Sequence, residues 1–162
     1  ELSSKLDVIR NSSESAQSVI HEVITQSEDM RKTINHSAIG GFVESVKMDH
    51  LAWKFDVYRV ISDPEKYSVN QSLHTECRLG QWMRSAEGGL KYAHLPAFKS
   101  LEGPHKNVHD NGNKAAAAAT NEQWEEADRF SNEMEVESRT LMRLLDALIA
   151  ESDKHEAKSR AA

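Results

Sequence analysis

Apolar residues near the start of the chain recur in alternating steps of four and three, the heptad pattern of a helix that packs along one seam. Eight of the ten seam positions are apolar, whereas the intervening residues are mostly Ser, Asn, Gln, Glu and Lys. Such a helix is not stable alone, so the pattern predicts a coiled-coil or bundle helix that pairs with another helix. An amphipathic helix that folds back on its own domain is the alternative. The seam comprises Leu2, Leu6, Ile9, Ser13, Ala16, Ile20, Val23, Ser27, Met30 and Ile34.

Two consecutive glycines, Gly40 and Gly41, interrupt this pattern. Together they cost about 2 kcal/mol in a helix interior relative to alanine. We therefore place a domain boundary there, between residues 1–40 and residues 41–150. The segment from Phe42 to Ser62 then has the apolar spacing of a buried helix, and Pro64 ends it. Its apolar positions are Phe42, Val46, Leu51, Trp53, Val57, Val60 and Ile61.

The polar stretch of residues 64–76 separates this helix from shorter helical segments. The first is predicted around residues 77–86 and is expected to end at the glycine pair 88–89. Residues 91–101 are predicted to form a further short helical turn. Pro104 suits the first position of a longer helix, where its missing N–H costs nothing, and that helix runs on through the alanines of residues 115–119.

One glycine lies inside this alanine-containing helix. Gly112 should cost about 1 kcal/mol there relative to alanine. A neighbouring helix or aromatic ring that approaches the backbone closely would explain that cost, because glycine has no Cβ. The sequence therefore predicts a close contact at this position.

The last helix is predicted to begin at Asn121, a good N-cap residue, and to be long. Beyond Ile149 the sequence becomes charged, so residues 151–162 are predicted to form a frayed tail. Taken together, the patterns predict an all-α fold, a four- or five-helix antiparallel bundle with an N-terminal coiled-coil extension. The seam of the last helix comprises Trp124, Ala127, Phe130, Met134, Ser138, Leu141, Leu144, Leu145 and Leu148.

Composition indicates which kinds of partner the chain could bind and in which compartment it occurs. The net charge of −6 and the lack of clustered Lys and Arg argue against a nucleic-acid partner. A single cysteine cannot form an internal disulfide, so the sequence favours the cytoplasm. No apolar run approaches the roughly 20 residues that span a bilayer, and residues 1–13 lack the apolar core of a signal peptide, so no direct membrane insertion is expected.

Four residues supply the chemistry of one tetrahedral zinc ion: three imidazoles, from His50, His105 and His109, and the thiolate of Cys77. His105 and His109 are four residues apart, so on a helix they share one face and can bind the same ion. Sequence spacing does not show whether His50 and Cys77 reach them. His74, three residues before Cys77, is a reserve ligand. The other histidines, His21, His36, His94 and His155, are predicted to be surface residues.

These residues lie in three short sequence motifs, or blocks: HxxW, CxxGxW and LxxxHxxxH. The motifs and their order along the chain resemble the chemoreceptor zinc-binding domain, CZB. The resemblance spans roughly residues 42–148 and includes Gly112. It implies a small helical bundle that holds one zinc ion per chain, with His50, Cys77, His105 and His109 as ligands. Trp53 and Trp82 are expected to be core aromatics, and they can also exclude water and orient the imidazoles. The blocks are HxxW (His50, Trp53), CxxGxW (Cys77, Gly80, Trp82) and LxxxHxxxH (Leu101, His105, His109).

The resemblance also implies a function in bacterial signalling proteins, chiefly cytoplasmic chemoreceptors and some cyclic-di-GMP synthases. In that setting the site senses zinc availability or an oxidant such as hypochlorous acid, with Cys77 as the redox-sensing residue. The upstream heptad segment is similar to the end of a methyl-accepting receptor signalling helix. Partners implied in this way are a second copy of the chain, and the chemotaxis histidine kinase and coupling protein, which bind the parent receptor rather than this segment.

A structural site and an enzyme are the alternatives to a sensor from other classes of function. A purely structural zinc site is the alternative, because four protein ligands leave no open position on the metal. An enzyme would need a nucleophile–base pair or an open metal position, and the sequence indicates neither. A carboxylate-bridged di-iron centre would need paired Glu-x-x-His motifs facing into the bundle, which this sequence lacks.

Overall fold

The computed structural model describes residues 2–161, with side chains described for residues 24–27, 30, 33–34, 38–155 and 157–158. Throughout residues 2–161 the regular structure is helical, which confirms the all-α class. None of the helices in this range is long and apolar enough to cross a membrane. The elements are α1 (Leu2–Ser62), α2 (Arg78–Arg84), a π-helix (Ala86–Leu90), α3 (Pro96–Ser100), α4 (Glu102–Thr120) and α5 (Trp124–Ala161).

The chain divides into two compact units, Glu1–Ile39 and Gly40–Ala162. α1 continues through Gly40 and Gly41, so these glycines interrupt the apolar pattern without ending the helix. In the first unit, most positions of the predicted seam lie outside the described side chains. The described seam residues Ser27, Met30 and Ile34 are all exposed.

The second unit is a bundle built on three long helices. The later part of α1 runs in the same direction as α4, since His50 lies against His105 and Ile61 packs against the cluster that contains Ala118 and Ala119. α5 runs antiparallel to α1, because Lys54 pairs with Glu135 in the first third of α5 and Lys47 pairs with Asp146 further along it. This arrangement confirms a helical bundle, with the short helices α2 and α3 on the connection between α1 and α4.

The core follows the predicted apolar seams, with two exceptions. Leu51 is 55% exposed and Trp124 is 51% exposed, so the prediction that they pack in the core was wrong. The buried face of α1 instead includes His50 and Lys54, which the apolar pattern could not reveal. Large apolar side chains of the three long helices that are fully buried are Val43, Val46, Val57, Val108, Met134, Leu141, Leu145 and Leu148.

Three predicted helix boundaries were wrong for local reasons. The glycines at 88–89 lie within the π-helix rather than ending a helix, because Ser85 caps that turn by accepting the Gly88 N–H. α4 begins at Glu102, so Pro104 lies inside the first turn, where no N–H is needed for the helical ladder. Asn121 ends α4 instead of starting α5, and its side-chain amide donates to the Ala117 carbonyl at 2.9 Å.

The end of α5 also differs from the prediction. The backbone remains helical to Ala161, and Ser152 is buried, so the helix does not fray directly after Ile149. Glu151 accepts a hydrogen bond from the Ala97 N–H at 2.9 Å, which ties this part of α5 to the start of α3. This tertiary contact therefore stabilises α5 beyond Ile149, where the sequence becomes charged.

Candidate metal centre

α1 places His50 in the bundle interior. The side chain is 3% exposed, and its Nδ1–H donates to the Val46 carbonyl one turn earlier at 2.7 Å. Because a donating Nδ1 carries the proton, the lone pair of His50 is on Nε2. Nε2 is buried and has no hydrogen-bond partner. The backbone of α1 thus fixes the tautomer and orientation that a metal ligand requires.

Cys77 reaches the site from the connection between α1 and α2. It is the N-cap residue of α2, where its Sγ accepts the Gly80 N–H at 3.4 Å and donates to the His74 carbonyl at 3.4 Å. A Cβ on Gly80 would lie 1.9 Å from the His74 carbonyl oxygen. Only glycine fits there, so the CxxG spacing holds the turn that presents the sulfur. The thiol is half-buried.

α4 supplies the two remaining histidines from successive turns. His105 is 0% exposed and His109 is 2% exposed, and their ring centroids are 5.1 Å apart. His105 Nε2 lies 3.1 Å from the Cys77 sulfur. Nδ1 of His105 and both ring nitrogens of His109 have no hydrogen-bond partner. Buried polar atoms without partners are unfavourable, so a ligand for them is expected.

The structure brings all four predicted residues together. His50, Cys77, His105 and His109 each offer one ligand atom, and these atoms all lie within 4.8 Å of one another. In a tetrahedral zinc site with ordinary bond lengths, ligand atoms are about 3.5 Å apart, so a small contraction would suit the ion. Among the described residues, this is the one group of three or more such side chains that converges. The donor set and its unpartnered nitrogens fit a metal.

The protonation states also suit metal binding. Burial, with the nearby His50 and His109, lowers the pKa of His105 to about 2, and burial with His50 lowers that of His109 to about 4. Burial likewise lowers the pKa of His50. These imidazoles are therefore neutral at physiological pH, as ligands must be. Burial raises the pKa of the Cys77 thiol, so a cation is needed to favour its thiolate.

The two tryptophans of the sequence blocks have different surroundings. Trp53 stacks on His109 with ring centroids 4.7 Å apart, and its Nε1–H donates to the Asn70 carbonyl at 3.0 Å. Gly112 faces the same ring, which confirms the predicted close contact at that glycine. Trp82 packs instead in an aromatic cluster with Phe42, Tyr92 and Phe98, at centroid distances of 4.6, 5.5 and 5.7 Å.

His74, the reserve ligand, lies beside the cluster without joining it. Its ring is 5.6 Å from that of His105, edge to face, and its Nε2 pairs with Glu102 at 3.0 Å. Arg84 also contacts Glu102, at 3.1 Å. Glu102 and Arg84 did not stand out in the sequence, since neither belongs to a recognisable motif. His74 therefore supports the site from outside the ligand set.

A small cavity of about 70 Å³ adjoins the ligands. Cys77, His50 and His109 line it together with Trp53, and at its side Arg78 pairs with Asp49 at 3.1 Å. Such a volume has room for a small molecule beside the sulfur.

Comparison with known proteins points to one family. No curated protein and no solved structure matches the chain significantly. A family model does match, over residues 50–116, a segment that contains the four converging residues and all three sequence blocks. The match supports the resemblance for this segment, and the upstream heptad segment of residues 2–34 lies outside it. Residues 50–116 are thus similar to the chemoreceptor zinc-binding domain, a family of sensory and regulatory rather than catalytic domains.

Proposed function

We propose that this chain is a zinc-binding sensory domain of a bacterial cytoplasmic chemoreceptor. The observation that carries the proposal is the convergence of three buried imidazoles and one thiol within 4.8 Å, in a segment that matches the chemoreceptor zinc-binding family. His50, Cys77, His105 and His109 would hold one zinc ion per chain. Zinc suits this nitrogen and sulfur donor set, whereas magnesium and calcium prefer oxygen ligands.

Cys77 is the residue through which an oxidant would act. Zinc favours the thiolate, which is the nucleophilic form of cysteine. The sulfur would attack the chlorine of hypochlorous acid and release hydroxide, and water would then displace chloride to give the sulfenic acid. The cavity beside Cys77 is large enough for such a reactant. Oxidation weakens the sulfur as a ligand, so the start of α2 is released from the site.

Zinc availability is a second signal that the same site could detect. In that case, loss of the ion would leave the neutral imidazoles of α1 and α4 without a common partner, and these helices would separate. Loss of zinc would act on α1 directly, because His50 belongs to that helix, whereas oxidation would act first on the start of α2, which Cys77 caps. A purely structural zinc site remains the alternative function, because four protein ligands saturate the metal.

The wider assembly is part of the proposal. We expect a homodimer, because Met30 and Ile34, two apolar positions of the predicted heptad seam, are exposed in the single chain and a partner helix would cover them. The chemotaxis histidine kinase and its coupling protein would receive the signal through the parent receptor rather than through this segment.

Metal analysis tests the site. Purified untagged protein should contain about one zinc per chain by mass spectrometry, because the four ligands define one tetrahedral ion. Cys77→Ala and His105→Ala should lower the zinc content, while the matched control His74→Ala should retain it, because His74 lies outside the ligand set. Absence of zinc from the wild-type protein would refute the assignment.

A second measurement separates a sensor from a structural site. Helicity is recorded before and after a strong chelator, and before and after hypochlorous acid. A sensor predicts a chain that stays largely helical without zinc and whose oxidised Cys77 changes the environment of α2. A chain that unfolds on zinc removal would establish the structural alternative instead.

A further inference from the structure

Two histidines far apart in sequence lie against each other on the surface of the second unit. His94 precedes α3 and His155 lies in the last part of α5, yet their ring centroids are 4.2 Å apart at an interplanar angle of 52°. Both side chains are exposed. The prediction that both are surface histidines is confirmed, and the fold brings their rings together although they are distant in sequence.

The backbone around this pair is held by a separate contact. Glu151 is one turn before His155 on α5, and its carboxylate accepts the Ala97 N–H at 2.9 Å. Ala97 is three residues after His94, so this bond ties the segment that carries one imidazole to the helix that carries the other. The two rings are thus neighbours because of a defined tertiary contact and not because of two freely moving side chains.

We propose that His94 and His155 form a second metal site for a divalent cation that prefers imidazole, such as zinc or copper(II). In the four-residue cluster, histidine ring centroids are 5.1 to 5.5 Å apart. The exposed His94 and His155 rings would part slightly to reach the same spacing, with water completing the coordination. Exposed side chains can make this adjustment by small rotations.

The expected property of this site is weak, reversible binding. Two protein ligands hold the ion, compared with four in the buried cluster, and the ion remains in contact with solvent. A bound ion would connect the segment before α3 to the end of α5. The site would therefore fill only after the buried cluster, at higher metal concentration, and it does not depend on the sensory function proposed for that cluster.

Zinc titration of untagged full-length protein, already loaded with one zinc, tests the proposal. By calorimetry the wild-type chain should bind a second zinc, at least about tenfold more weakly than the first because fewer protein ligands hold it. His94→Gln and His155→Gln should each abolish the second event, retain the first zinc and keep wild-type helicity. Lys154→Gln, at the residue next to His155, should retain both events.

Histidine resonances in the nuclear magnetic resonance spectrum identify the residues directly. During the second event, the ring signals of His94 and His155 should shift together. Failure of the wild-type protein to bind a second zinc would overturn the proposal. Persistence of the second event in either glutamine variant, or shifts confined to other histidines, would also overturn it.

Discussion

Gly112→Ala tests whether the close packing of Trp53 supports the metal cluster. A Cβ at this position would lie 2.4 Å from Cη2 and 2.7 Å from Cζ3 of Trp53, and 3.0 Å from the sulfur of Met134. Non-bonded carbon atoms pack best about 3.5–4.0 Å apart, so the indole must move by about 1 Å. Its movement disturbs both the stacking on His109 and the hydrogen bond to Asn70.

The expected change in the free energy of unfolding is the sum of two opposing effects. Alanine in place of glycine in a helix interior stabilises a protein by about 1 kcal/mol. Overpacking of a well-filled site costs about 1–3 kcal/mol, and the lost stacking on His109 is included in that cost. We therefore expect Gly112→Ala to lower the free energy of unfolding by about 1 kcal/mol. Zinc affinity should fall by about tenfold, because Trp53 orients the imidazole of His109.

Denaturant unfolding and competition with a chromophoric zinc chelator measure these two quantities. The matched control is Gly41→Ala, a helical glycine whose new Cβ meets nothing within 4 Å. That variant should stabilise the protein by up to about 1 kcal/mol through helix propensity alone and leave zinc affinity unchanged. If Gly112→Ala were as stabilising as Gly41→Ala and bound zinc equally well, the argument from packing would be refuted.

Two further substitutions test other contacts of the bundle. Glu135→Gln should destabilise the protein by about 2 kcal/mol at pH 7, since it leaves the buried Lys54 ammonium without its charged partner at 2.7 Å. Burial would raise the pKa of Glu135, but the bonds from Lys54 and Tyr58 outweigh it and the pKa is lowered below 4.5. The wild-type protein should therefore have the higher free energy of unfolding above pH 4.5, and this difference should be lost as the pH falls through the lowered pKa of Glu135. Unfolding at a series of pH values measures it. Gly80→Ala should lower the zinc content more than the helicity, because its Cβ would lie 1.9 Å from a backbone oxygen of the turn that presents Cys77. Metal analysis measures the zinc content and circular dichroism measures the helicity. Equal losses of both would contradict this prediction.

Long periodic segments were predictable from sequence, whereas the ends of the helices were not. The seam of α5 was predicted correctly from Ala127 to Leu148, because a buried face must repeat with the helical period. Asn121 was assigned to the wrong helix, since its side chain can cap either end of a helix. The choice depended on the tight connection to α5, in which Glu122 has a φ of 59°, a conformation that no periodicity reveals.

The site required information beyond periodicity. The i,i+4 spacing of His105 and His109 predicted one shared face of α4, and the structure places them there. Nothing in the spacing fixed the approach of His50 and Cys77, and the family resemblance supplied that expectation. The partly buried pair of Lys54 and Glu135 and the surface pair of His94 and His155 were missed, because each joins residues from distant parts of the chain with no motif in common.

The four ligand residues differ in burial and in the length of the helix that carries each of them, and this difference bears on how the proposed sensor would work. His50, His105 and His109 project from long helices and are almost fully buried, whereas Cys77 is half-buried and caps the seven-residue helix α2 after an irregular connection. If Cys77 alone leaves the ion, three imidazoles remain, a set that holds zinc in many catalytic sites with one open position. Oxidation would then change the coordination and release the start of α2 while the bundle keeps its metal. Loss of zinc would act on α1 and α4 instead, so the segment that moves first distinguishes an oxidant signal from a zinc signal.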